Sequence, residues 1–410
     1  MHGAELGPLW LLLAILAATV VVAIAAGRSA VPASVGLVLL GLGVAFVGPD
    51  LELPISPALL LAIVLPGLIF EAAFRTDLGV LRPAAGAILV LAIPGVVVVA
   101  AIVALVLSVT TPLSLTEGFL VGAMVAATDP AAVLSTFRHV AVHPRLATMV
   151  EMESLVNDGT GIVLFALALE VLDGGGSPGG SLVLFVVKVV GGALIGGVGG
   201  WLAALLVRRV SDHLAELTIT VVLAYGAYLG AEALGLSGVI ATLVAAGAFG
   251  AFARDHLTER TIAAIDIVWE FAAFLLTAGV FLLVGVSIAP ETMGIAAGAI
   301  GWGIVAILVA RAAVVYGVIG VGSSVLARLS PERGGDALPR SWLHVLFWAG
   351  LRGAVSVALA LSLPADLPNR DLIQGITFGV VLFTLIVQGS TAGWVVRRSG
   401  AKHVDTTRRD

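Results

Sequence analysis

Residues 117–137 read EGFLVGAMVAATDPAAVLSTF. The stretch is long and apolar enough to cross a bilayer, except that Asp129 and Pro130 stand in its middle. Proline removes a backbone donor and biases the residue before it away from helical geometry, so the helix breaks near Thr128 and Asp129. Asp129 is suited to N-cap a second half whose first position is Pro130. A helix start is thus written into the interior of a span. An unwound segment there exposes carbonyls that bind a cation, and the positive half-helix end favours the Asp129 carboxylate. A plain proline kink is the simpler alternative.

The rest of the chain makes a membrane the right solvent. Of 410 residues 60% are hydrophobic and 11% charged, against roughly 25% charged in soluble domains. This is an all-α polytopic membrane protein with the lipid bilayer as its surroundings. With no cysteine it has neither disulfides nor thiolate metal sites. The net charge of −5 gives no reason to expect a nucleic-acid partner. The first apolar run, PLWLLLAILAATVVVAIAAG, follows MHGAEL, which lacks the positive n-region of a cleaved signal, so it reads as a retained helix.

Spans fall near residues 8–27, 31–49, 56–74, 83–109, 115–137, 146–172, 181–207, 213–232, 236–253, 261–289, 293–327, 341–363 and 371–396, thirteen in all, with an interruption at Pro290. Cytoplasmic loops hold the excess of Lys and Arg. Every second connection, counted from the first, carries Arg28; Arg75 and Arg82; Arg138 and Arg145; Arg208 and Arg209; Arg254 and Arg260; Arg328, Arg333 and Arg340; and the tail Arg397, Arg398, Lys402, Arg408 and Arg409. The other connections hold only Arg370, while Lys188, Arg311 and Arg352 lie within spans. This alternation predicts an N-terminus outside and a C-terminus in the cytoplasm of a prokaryotic cell membrane. The linker DGGGSPGG at 173–180 leads into helix 7, and six helices lie on either side of it. One transmembrane domain over 1–410 is expected: a first repeat at 8–172, a linking helix at 181–207, a second repeat of inverted topology at 213–396, and a short tail at 397–410.

Polar residues inside the spans cluster in ESLVNDGTG, residues 153–161 of helix 6. Ser154 and Asp158 are four apart and share a face, as do Glu153 and Asn157 beside them. A charge at a helix centre costs about 2.5 to 3.5 kcal/mol, so each needs a partner or a wet cavity. Arg311 and Arg352 are the candidates to neutralise Glu153. Arg352, between Gly350 and Gly353, also stands where helix 12, the positional counterpart of helix 5, is expected to break, and there it compensates a negative half-helix end. Glu71 is either an acid reaching the site through water or an interfacial carboxylate near Arg75. Glu151 lines a funnel or is simply solvated; Lys188 snorkels or pairs; His139 and His143 are exposed loop histidines or pH sensors. Asp266 and Glu270 share a face of helix 10 without an assigned role. No group has zinc-ligand spacing.

ATDPAAVLS (127–135), ESLVNDGTG and GLRGAVSVALAL (350–361) together resemble the monovalent cation:proton antiporter-1 family, the NhaP-type sodium/proton antiporters and their animal relatives. LPGLIFEAAF (65–74) and ARAAVVYG (310–317) match in order and position, so the resemblance covers nearly the whole chain. It implies two inverted six-helix repeats, with broken helices 5 and 12 crossing near the midplane, and a homodimer. Carried over, Asp158 is the ion-binding acid, with Ser154 and the Thr128 carbonyl as further ligands to Na+. Glu71 reaches the ion, Asp129 and Asn157 steady the crossing, and Glu153 pairs with an arginine. The long cytosolic tail of the animal relatives is lacking.

The chemistry suits that role. An aspartate takes up protons near neutral pH only where water is partly excluded, and Na+ is a hard cation that prefers oxygen ligands. One carboxylate then holds a proton or a cation in competition. Because Asn157 does not titrate, the expected exchange is 1:1 and electroneutral, with no cofactor and with Na+ and H+ as the transported ions. Li+ or K+ in place of Na+ is the nearest alternative. An intramembrane aspartyl protease using Asp129 and Asp158 is a remote one, and a cation channel would need a continuous pore for which no filter element is visible.

Overall fold

The computed structural model describes residues 7–26, 32–47, 57–137, 140, 142–175, 178–210, 212–253, 256–287, 294, 296–323 and 338–401. Of the residues singled out above, Arg28, Arg138, His139, Arg254, Pro290, Arg328, Arg333, Lys402, Arg408 and Arg409 lie outside these. Every regular element among the described residues is a helix. In chain order they are α1 (Gly7–Ala26), α2 (Ala33–Val47), α3 (Pro57–Arg75), α4a (Leu78–Ala92), α4b (Pro94–Thr110), α5a (Leu115–Ala126), α5b (Ala131–Phe137), α6 (Pro144–Leu172), α7 (Pro178–Val207), α8 (His213–Ala233), α9 (Gly238–Ala253) and α10 (Glu259–Ser287). α11 is Ala297–Ala312 continued by a π-helical stretch, Ala313–Val321; α12a is Arg340–Trp348 and α12b Ala354–Leu361. α13 runs Arg370–Phe383, passes through a π-turn at Thr384–Gly389 and ends in Ser390–Ser399.

These fall one by one on the thirteen expected segments. Among the described residues, seven of them are individually long and apolar enough to cross a membrane. Helices 5 and 12 are divided, as proline and glycine dictate, and helix 4 bends at Ile93 (φ −112°, ψ −80°), where Pro94 starts α4b. Leu182, Val186, Val190, Leu194 and Val198 of α7 face outward, an apolar surface that suits lipid rather than water.

Packing divides the helices into two bodies. α4, α5, α6, α11, α12 and α13 pack on one another: α4b on α5a, α4a on α6, α11 on both α4b and α13, α12b on α13. The other body sets α7 against α9, α2 against α10, and α3 against α8, α9 and α10. The pairings repeat at an offset of seven helices: α2 on α10 answers α9 on α3, α1 on α2 answers α8 on α9, and α4a on α6 answers α11 on α13. An odd offset makes equivalent helices enter from opposite faces, the inverted arrangement expected from counting alone.

Glycine seams set the closest approaches, because small residues let helix backbones meet in a bilayer. Gly192, Gly196 and Gly200 of α7 face the carbonyls of Ser237, Ala241 and Ala245 in and beside α9, at matching four-residue intervals. Gly118 and Gly122 of α5a do the same against Ala104 and Ala100 of α4b. A Cβ at Gly196 would overlap the Ala241 carbonyl, whereas one at Gly197 meets nothing nearer than Val244 Cγ1 at 3.8 Å. Gly196→Val should therefore cost about 1–3 kcal/mol and lower the melting temperature in detergent, while Gly197→Val leaves it near wild type.

Candidate functional site: the crossing of two broken helices

α5a starts with a capping box: Glu117 N–H donates to Ser114 Oγ (3.2 Å) and Ser114 N–H to Glu117 Oε2 (2.7 Å), while Asn369 Nδ2 ties the other carboxylate oxygen to the start of α13 (2.9 Å). The helix then stops at Ala127, which turns extended (φ −57°, ψ 132°). Helix 12 opens over residues 349–353. The two gaps lie across each other, for the Asp129 N–H donates to the Leu351 carbonyl at 2.8 Å.

Four helix ends meet here, and each end finds a side chain. Asp129 Oδ1 accepts the Ala131 N–H at 3.0 Å, and its carboxylate also accepts the Ala354 N–H. One carboxylate thus serves the positive starts of both α5b and α12b, one more than the sequence reading gave it. A Cβ on Gly353 would fall 2.8 Å from Asp129 Cγ, so only glycine leaves room. At the carbonyl end of α5a, Arg352 Nη1 donates to Ala126 O (2.7 Å) and Ala127 O (3.2 Å). At the end of α12a, Arg311 Nη2 donates to Leu346 O at 2.8 Å.

Of the two arginines that were candidates to neutralise Glu153, it is Arg311 that contacts it. Arg311 makes a two-pronged contact, Nη1 to Oε1 and Nη2 to Oε2 (3.0 Å), in which Glu153 and Arg311 are 2% and 5% exposed. Arg352 is committed to the α5a carbonyls, and the planar fork of Arg311 suits a bidentate carboxylate.

α6 supplies the rest. Asn157 uses both halves of its amide on one residue: Oδ1 accepts Thr128 N–H (3.1 Å) and Nδ2 donates to Thr128 Oγ1 (2.6 Å). Ser154 Oγ donates to the Thr128 carbonyl. Asp158, one turn on, is half-buried, and its Oδ1 is buried without a hydrogen-bond partner. The glycines beside it explain the rest of the motif. Gly159 admits Val239 and Ile240 of α9, where a Cβ would come within 2.9 Å, and a Cβ on Gly161 would stand 3.2 Å from the Ala123 carbonyl oxygen of α5a.

The structure therefore brings Asp158, Ser154, Thr128, Asp129, Asn157 and Arg352 together, with Glu153 and Arg311 adjoining. Glu71 stands on α3 in an ion pair with Arg75 at 2.7 Å, and Arg75 also feels Asp266 and Glu270 of α10. His143 is the N-cap of α6, its Nδ1 accepting the Arg145 N–H at 3.2 Å, and Lys188 is half-buried in α7. Sequence reasoning did not single out Ser356, whose Oγ donates to Met124 O at 2.7 Å, nor Thr384, whose Oγ1 accepts the Arg352 N–H at 3.0 Å. Both are lone hydroxyls in apolar helices and carry no local signal. Among the described residues no group of three or more His, Cys, Asp or Glu is placed to hold a metal ion. A monovalent cation would instead find one carboxylate, one hydroxyl and one carbonyl.

The Glu153–Arg311 pair yields a stability test. Removing one member of a buried pair leaves the other uncompensated at about 3–5 kcal/mol, so Arg311→Gln and Glu153→Gln should each sharply lower the melting temperature. The double variant Glu153→Gln/Arg311→Gln should recover much of it, measured as coupling in a double-mutant cycle.

The family described as "Sodium/hydrogen exchanger, transmembrane" matches residues 12–398. The Na+/H+ antiporter ApNhaP of Aphanothece halophytica is 39% identical over 376 residues, covering 90% of this chain and 70% of its own length. The Na+/H+ antiporter NhaP of Pseudomonas aeruginosa is 34% identical over 344 residues, covering 82% of this chain and 79% of its own. Among solved structures, the sodium proton antiporter MjNhaP1 from Methanocaldococcus jannaschii shares the fold with a TM-score of 0.74 at 21% identity, over 96% of this chain and 98% of that one.

Proposed function

Because this chain belongs to the monovalent cation:proton antiporter-1 family of transmembrane sodium/hydrogen exchangers, it is a Na+/H+ antiporter rather than an enzyme, and we propose that Asp158 is the group at which Na+ and H+ are exchanged. The observation that carries this reading is the Asp158 Oδ1, buried and without a hydrogen-bond partner. Formal charge points the same way. Asp129, Glu153 and Asp158 are three acids, whereas Arg311 and Arg352 are two bases, and the first two acids are matched by helix starts and by Arg311. Asp158 is left as the surplus negative charge. A proton or a sodium ion neutralises it, and the binding of one opposes the binding of the other.

Na+ at this site takes Asp158, the Ser154 hydroxyl and the Thr128 carbonyl as ligands. Ser154 Oγ donates to that carbonyl, so loading turns the hydroxyl until both oxygens face the ion. Glu71 joins through water, leaving its pairing with Arg75. Asn157 and Asp129 keep Thr128 and the crossing in place. The body of α4–α6 and α11–α13 moves against the remaining helices, exposing Asp158 alternately to the two sides, with the smooth contact at Gly159 as part of the sliding surface. The repeats at 8–172 and 213–396, the homodimer, the external N-terminus, the cytoplasmic C-terminus and the placement in a prokaryotic cell membrane belong to the same reading. A K+/H+ antiporter of the same fold is the second reading. The protease alternative loses its second acid, since the Asp129 carboxylate is committed to two backbone N–H groups.

Proteoliposome dye-quench assays with Na+, Li+ and K+ test the cation. Asp158→Asn should fold, judged by its melting temperature, yet lose exchange at every pH; retained exchange would overturn the assignment. Mutual exclusion at one carboxylate makes the coupling reciprocal. Once protons dominate, the apparent KM for Na+ should rise about tenfold per unit fall in pH, and an imposed voltage should leave the rate unchanged.

A further inference from the structure

The π-turn Thr384–Gly389 interrupts α13 beside the gap in helix 12. Such a turn adds one residue to the helical ladder, frees backbone groups from it, and recurs at functional sites. Here it has hold of both sides of the gap. On one side Trp348, the last residue of α12a, donates its Nε1–H to the Gln388 carbonyl (3.2 Å) and to Thr391 Oγ1 (3.0 Å). On the other, Thr384 Oγ1 accepts the backbone N–H of Arg352 at 3.0 Å and donates its own proton to Val381 O at 3.0 Å. Thr384 and Arg352 are each 1% exposed, so water is poorly placed to substitute for a lost partner.

Arg352 is the residue whose guanidinium gathers the Ala126 and Ala127 carbonyls at 2.7 and 3.2 Å, and Thr128 follows directly. The Arg352 backbone has no helical ladder of its own to fix it, since it lies in the unwound segment. The Thr384 hydroxyl stands in for the ladder. We propose that Thr384 is a positioning residue for cation binding: by fixing the Arg352 backbone it fixes the guanidinium at the end of α5a, and through it the direction of the Thr128 carbonyl. The proposal rests on the reading of Thr128 and Asp158 as the cation site, and it makes α13 part of the transport machinery although none of its side chains touches the ion.

The test is a series at one position, Thr384→Ser, Thr384→Cys and Thr384→Val, which weakens the acceptor at nearly constant size. Ser should match wild type. Cys and then Val should raise the KM for Na+, by about five- to tenfold at the end of the series, with a smaller change in maximal rate. Amide hydrogen exchange across residues 349–353 should quicken in the same order, a readout that needs no transport. A flat KM across the series, or failure of Ser to behave as wild type, would overturn the proposal. If Val does not fold, the Ser and Cys variants decide. Wild type and Asp158→Asn are assayed alongside: loss of their contrast would overturn the cation site itself, whereas a flat series with that contrast intact overturns only the role of Thr384.

Discussion

Two helices broken inside a membrane protein create four ends with unsatisfied backbone groups, and away from water each must be answered by a side chain. Everything at the centre of this fold follows from that constraint. Asp129 answers two starts, Arg352 one stop and Arg311 the other. Glu153 exists to balance Arg311, and Gly353 exists to make room for Asp129. Once these demands are met, a single acid remains over. On the reading proposed above, the transport chemistry falls to the charge that these structural demands leave unclaimed.

The sequence showed much of this because the determinants are local. Pro130 after Asp129 writes a break, Gly350 and Gly353 write another, and four-residue spacing puts Ser154 with Asp158 and Glu153 with Asn157. Helix count and order were readable from hydropathy and from the alternation of positive charge. The choice between arginines was not, because it depends on how α11 leans on the α12a end, more than thirty residues away. The double duty of Asp129 was hidden for the same reason: its second partner, Ala354, is far along the chain. Thr384 and Ser356 were invisible, since a hydroxyl in an apolar helix usually satisfies its own backbone, as Thr160 does with Val156 at 3.0 Å.

Glycine plays two roles that hydropathy does not separate. In α7 and α5a it lies against backbone carbonyls at regular intervals and welds helices within a body. In α6, Gly159 faces the branched side chains of Val239 and Ile240 across the boundary between bodies. The first contact resists movement, because any displacement opens a void along the whole seam. The second meets side chains instead of backbone, so no carbonyl seam is lost where the helices shift. The motif NDGTG therefore places the acid next to a glycine that meets the other body, which on the reading proposed above is where the bodies part.

The bond from Ser154 to the Thr128 carbonyl has a consequence for the pace of the cycle. On the reading proposed above, two of the three oxygens of the cation site already share a hydrogen bond, so an arriving ion competes with that bond in place of filling a void. Its net gain is correspondingly modest, and departure is eased because the donor and acceptor can rejoin as the ion leaves. A carrier that must surrender what it picks up is served better by such reluctant hosts than by a tight cage.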